Sequence, residues 1–198
     1  GGGAANILGG CTFTNVSVTG PLTIPAGNGL AVAGPLTSNG TITINPAGTT
    51  SSTHLDVNTA ALTLAGTGSI VLNANAGSLD SAYIYFNAGS NVLTVPATQT
   101  IRGTGNIYTN VTNNGTIQAD QTGKVLQLFN QSKTNNSVIQ AINGGILNIS
   151  NIGITQGSSG AILANASPVN LSGTTLTGGA LTMSSGGSAT ITGSSTFN

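Results

Sequence analysis

The side chains able to do acid, base or nucleophile chemistry are few in this chain. His54 and Asp56 are the one acid/base pair within a short segment, and a spacing of two puts both on the same face of a strand. Asp80 and Asp120 lie far from them in sequence, and Arg102 is the sole arginine. Enzymes that cleave polysaccharides on β scaffolds cluster several carboxylates with a cation in one groove. This scatter points away from an enzyme, and no catalytic residue is expected. One histidine, one cysteine and no repeating Asp supply neither a zinc cluster nor a calcium-binding glycine–aspartate repeat. No metal or cofactor site is expected, and Cys11 reads as a small core residue.

Non-covalent chemistry is better represented. Tyr83 and Tyr85 share a strand face, with Phe86 directed oppositely, and two tyrosines in line offer flat apolar area with polar tips on which sugar rings can stack. Arg102 and Asp120 are 18 residues apart, close to the repeat described below, so they can pair between successive repeats. Such a pair contributes about 0–1 kcal/mol if exposed. Thr-x-Thr occurs at Thr12, Thr41, Thr98, Thr175 and Thr190, the pattern that orders water on ice-binding β faces, but these spacings do not form one rank.

What must position these residues is a repeat of short strands. Gly, Ser, Thr and Asn make up just over half of the 198 residues, while charged residues are 3%. Soluble domains usually carry roughly 25%. A net charge of zero with three cations excludes the basic surface that nucleic acid requires. No apolar run is long enough for a membrane-spanning helix. With 38% apolar residues in strand-like alternation, disorder is also a poor fit.

Val169-Asn170-Leu171-Ser172-Gly173-Thr174-Thr175-Leu176 aligns with the segment from Ala189 to Thr196 at an offset of 20, and with the segment from Leu147 to Ile154 at 22. The segment from Cys11 to Val18 has the same form. The first and third positions alternate inward, and the Asn or Gly at the fifth supplies the left-handed backbone of a corner. A third strand precedes each unit, as at Ala161-Ile162-Leu163 and Ala180-Leu181-Thr182-Met183. Three short strands per 20–22 residues describe one coil of a parallel β-helix, read here as right-handed. Stacked at about 4.8 Å, roughly ten such coils make a rod of about 45–50 Å. Pro25, Pro46 and Pro96 belong at corners, since proline cannot donate to a ladder, and Asn39-Gly40 and Asn114-Gly115 mark turns before strands. Asn-Gly also suits hairpins, which keeps an antiparallel β-sandwich as the alternative fold. In equivalent coil positions, Phe13, Ile149, Leu171 and Ile191 are expected to form one core ladder.

From 103 to 119 the chain reads GTGNIYTNVTNNGTIQA. This resembles segments of the passenger domains of bacterial autotransporters and related repeat-rich surface adhesins. The resemblance implies a right-handed β-helix outside a bacterial cell and says nothing of activity.

The expectation is therefore one elongated β-solenoid over 1–198, extracellular or on a cell surface, acting as a structural or adhesive module. Its end coils expose strand edges, so head-to-tail self-association into a filament is expected. Binding of a glycan, another surface receptor or ice is the alternative, and a polysaccharide-active enzyme the third.

Overall fold

A computed structural model describes residues 3–198. Among them every named strand pairs in parallel with its equivalents one coil away, and no α-helix occurs; a single 3₁₀ turn spans Leu79–Ser81. The strands stack as a β-solenoid with three faces, and the third face is a nine-stranded sheet running from Val16–Val18 to Thr196–Phe197. Nine coils at about 4.8 Å make a stack of roughly 40 Å, shorter than the ten-coil expectation. No helix is long and apolar enough to cross a membrane.

The corner chemistry follows the repeat. Asn15, Asn151, Gly173 and Gly193, each the fifth residue of the motif, have φ of 56°, 53°, 59° and 63°. Asn tolerates this region because its short polar side chain can bond locally, and Gly because it has no Cβ. Pro25, Pro46 and Pro96 each follow the end of a strand.

The period is less regular than 20–22. On the first face, Leu22 pairs with Ile42, Ile42 with Ile70, Ile70 with Ile101 and Ile101 with Ile117. The two long intervals carry corner loops at 45–53 and 74–82. Asn45, fully buried at φ 58°, ties these together by donating to Thr49 O and Ser81 O. The short interval has no loop, because the strand Thr100–Ile107 bends within itself and serves two faces. The bend uses Gly103 and Gly105, at φ 108° and 143°; a Cβ on either would meet a carbonyl oxygen at 2.1 Å.

The core is a set of inward ladders. On the second face Leu30, Leu55, Ile84, Ile107, Leu128, Ile149 and Leu171 stack in register and are fully buried. Two expected members need correction. Phe13 pairs with Val32, one inward position further along, and Cys11 heads the ladder opposite Leu30. The first three coils carry an extra inward residue (Phe13, Val32, Val57) before the corner, a position that Phe86 occupies in the fourth. A two-residue slip preserves the inward parity, so alternation alone does not reveal it. Ile191 does pair with Leu171 but is 51% exposed, since its strand is the outermost of this face.

Polar groups are also stacked inside. Asn113 donates to Asn135 Oδ1 at 2.8 Å and Asn135 to Gln156 Oε1 at 3.1 Å, an amide row that also satisfies backbone carbonyls at one corner. On the third face the inward series Leu93, Val111, Lys133, Ile154, Leu176 includes a cation. Lys133 is 2% exposed, and its Nζ donates to the carbonyls of Phe129 and Gln131. Burial among apolar neighbours pushes its pKa down to about 7.

Candidate functional site: an aromatic patch on the second face

Strand alternation sends two columns of side chains outward from the second face. One runs His54, Tyr83, Asn106, Gln127, Asn148, Asn170. The other begins Asp56 opposite Tyr85 and continues through Tyr108 and Phe129, the residues that follow the paired Ile107 and Leu128. In a chain with three Tyr, one His and four Phe, all three tyrosines, the histidine and two phenylalanines meet on one patch.

The rings pack in alternating orientation. His54 stacks on Tyr83 with centroids 5.2 Å apart and planes 25° apart. Tyr83, Tyr85 and Tyr108 form a mutually edge-to-face trio with centroid distances of 6.1, 5.8 and 5.8 Å. Phe129 meets Tyr108 edge-on at 6.0 Å. Phe86 corrects an expectation: it stacks on Tyr85 at 4.7 Å and 16°, because the chain turns the corner immediately after it and its side chain is only half-buried. Tyr85 is the most open of the tyrosines, at 41% exposure.

The two corner loops give the rings polar walls. Ser52, in the 45–53 loop, lies 2.9 Å from the Tyr83 hydroxyl. Asp80, on the 3₁₀ turn of the second loop, accepts from Asn106 Nδ2 at 2.6 Å and from the Tyr108 hydroxyl. Burial, then the bond to Asp80 and its negative charge, hold the Tyr108 phenol well above its ordinary pKa. Asn106 is buried, and its Oδ1 has no hydrogen-bond partner among the described residues. Ser52, Asp80 and the three tyrosines line a depression of about 370 Å³.

Toward the start of the chain the same face opens into a trough of about 500 Å³ along Gly10, Gly29 and Ala31, ending at His54 and Asp56. Gly29 makes room there for the His54 ring, since a Cβ would come within 2.3 Å of His54 Nε2 and displace it. His54 Nε2 lies 3.5 Å from Asp56 Oδ2. Burial raises the Asp56 carboxyl above its ordinary pKa, and His54 opposes that shift.

The sequence reading found part of this patch. Tyr83 and Tyr85 do share an outward face. Tyr108, Phe129, Asn106 and the participation of Asp80 were missed, although Tyr85, Tyr108 and Phe129 recur at intervals of 23 and 21, close to the coil period. Arg102 and Asp120 belong elsewhere: on the first face and at its edge, Arg102 Nη1 lies 3.1 Å from Asp120 Oδ2 across adjacent coils. Among the described residues no group of three His, Cys, Asp or Glu is placed to hold a metal.

The patch joins flat apolar faces to hydroxyl, amide and carboxylate groups. These are the elements that hold a sugar: stacking for its C–H face and hydrogen bonds for its hydroxyls. Compared with protein families, with curated proteins and with solved structures, the chain matches none.

Proposed function

We propose that this chain is a structural and adhesive β-solenoid module of an extracellular surface, and that its adhesive site is the aromatic patch, which holds an uncharged glycan. The observation that carries the reading is the concentration of Tyr83, Tyr85 and Tyr108 around Asp80 and Ser52 on one open face of a chain otherwise nearly free of aromatics. The carboxylates of Asp56 and Asp80 on this face oppose an acidic polysaccharide, and among the described residues no Lys or Arg lines the depression to receive one. Stacked coils give the site a stiff base, and a surface that is polar yet almost uncharged suits a location outside the cell. The resemblance at 103–119 to bacterial surface adhesins agrees with that location.

An array of immobilised neutral and acidic oligosaccharides, probed with the intact chain and with Tyr85→Ala, tests the reading. Capture by a neutral glycan that is lost in Tyr85→Ala supports it. Binding to none, or equal binding by the variant, removes the aromatic patch as the adhesive site.

Head-to-tail association is a second, separate proposal. The uniformly parallel stacking of the strands supports it, since a second copy can continue such a stack in the same direction. Sedimentation velocity across a concentration series tests it: growth into longer species is the expected result, and a monomer throughout rejects it.

A further inference from the structure

The third face carries a feature that the aromatic patch does not use. Thr63, Thr94, Thr112, Thr134, Thr155 and Thr177 pair in direct register through six successive coils. They point outward, since each lies beside a buried inward residue such as Leu93, Val111, Ile154 or Leu176. The Thr-x-Thr positions noted in the sequence are scattered by contrast, with Thr12 and Thr190 on the second face and Thr41 on the first. The true row follows the coil period, with intervals of 22, 21 and 22 over its last four members.

Each threonine presents one methyl and one hydroxyl, and its branched Cβ restricts χ1, so neighbours in identical backbone settings repeat the same disposition. Strand spacing of about 4.8 Å then sets the repeat of the row. Among the described residues none of the six hydroxyls is bonded to another protein group, which leaves them free for water. The adjoining outward column holds Ala61, Val92 and Asn110 and, further along, Gly153 and Thr175, all uncharged. Among the described residues these two outward columns hold no aromatic, Met or Arg of the kind that anchors protein interfaces. Nor do they carry a charge, because Lys133 points inward. A rigid, regular row of hydroxyls and methyls without anchors or charges is suited to an ordered layer of water.

We propose that the third face binds ice, its threonine row holding water in the arrangement of an ice plane. This stands independently of the glycan reading, on a different face and different residues.

The test measures ice recrystallisation in sucrose solution containing the intact chain, Thr134→Tyr, Thr112→Tyr, or Thr116→Tyr from the first face as control. The wild type and Thr116→Tyr are expected to arrest crystal coarsening, and the two row variants to lose that effect while keeping the wild-type circular dichroism spectrum and melting point. Coarsening as fast with the wild type as with serum albumin would overturn the proposal. Equal loss in Thr116→Tyr would overturn it as well, as would a wild type that merely dimerises through this face without affecting ice. Should one row variant fail to fold, the other carries the comparison.

Discussion

Tyr85 and Tyr108 lie one coil apart, each following an isoleucine paired with the other's, with ring centroids 5.8 Å apart and planes 77° apart. The pair exists because the fold brings residues 23 apart in sequence to neighbouring strands at the same outward position. Its setting depends on Asp80, which belongs to a loop inserted one coil earlier and accepts the Tyr108 hydroxyl hydrogen.

That contact has a measurable consequence. Asp80→Asn removes the charge that disfavours the tyrosinate while keeping an acceptor. The Tyr108 pKa is expected to fall toward the ordinary tyrosine value when its phenol resonances are followed by NMR at alkaline pH. An unchanged Tyr108 titration would show that Asp80 does not act on it.

The core ladder sets different costs for two residues paired with each other. Leu171 is fully buried and Leu171→Ala should cost about 2–5 kcal/mol in urea unfolding. Ile191→Ala, at the exposed partner position, should stay within about 0.5 kcal/mol. Equal costs would contradict the placement of Ile191 at the surface of the stack.

Lys133 makes stability depend on pH. Its folded pKa of about 7 lies below the ordinary 10.5, so between these values the unfolded chain holds a proton that the folded chain does not. Stability should therefore rise with pH from about 7 upward, by at most roughly 1.4 kcal/mol per pH unit. The penalty is fully present below the folded value. Lys133→Met should flatten the dependence between pH 7 and 9.5 in denaturant titrations. A flat wild-type profile, or a slope retained by the Met variant, would refute the assignment.

His54 and Asp56 are close enough to interact, and they sit at the end of a glycine-floored trough. The chain is expected to show no hydrolase or lyase turnover on acidic polysaccharides, and the double variant His54→Ala/Asp56→Ala should fold with nearly unchanged stability. Turnover that disappears in the double variant would establish a catalytic pair.

The coil was legible because its inward alternation and its left-handed corners recur in the sequence: Asn15, Asn151, Gly173 and Gly193 mark one corner in four coils. The loops at 45–53 and 74–82 do not recur, so nothing in the period revealed that Ser52 and Asp80 would flank the rings. The Phe13 register was misplaced because a slip of two residues leaves the pattern of alternation intact. Tyr108 was hidden for a related reason. It is the lone aromatic of its segment, and only the coil period connects it to Tyr85 and Phe129. The buried place of Lys133 had no signal of its own, since lysine at an inward position is rare and its partners are backbone carbonyls.

The central claim is that the aromatic patch holds a glycan, and NMR titration tests it most directly. The intact chain is titrated with the neutral oligosaccharide captured best on the array, while the resonances of the three tyrosines and of Asn148 are observed. Saturable shifts at Tyr83, Tyr85 and Tyr108, abolished by Tyr108→Ala, are the expected result. Shifts confined to other faces, or none at millimolar sugar, would contradict it.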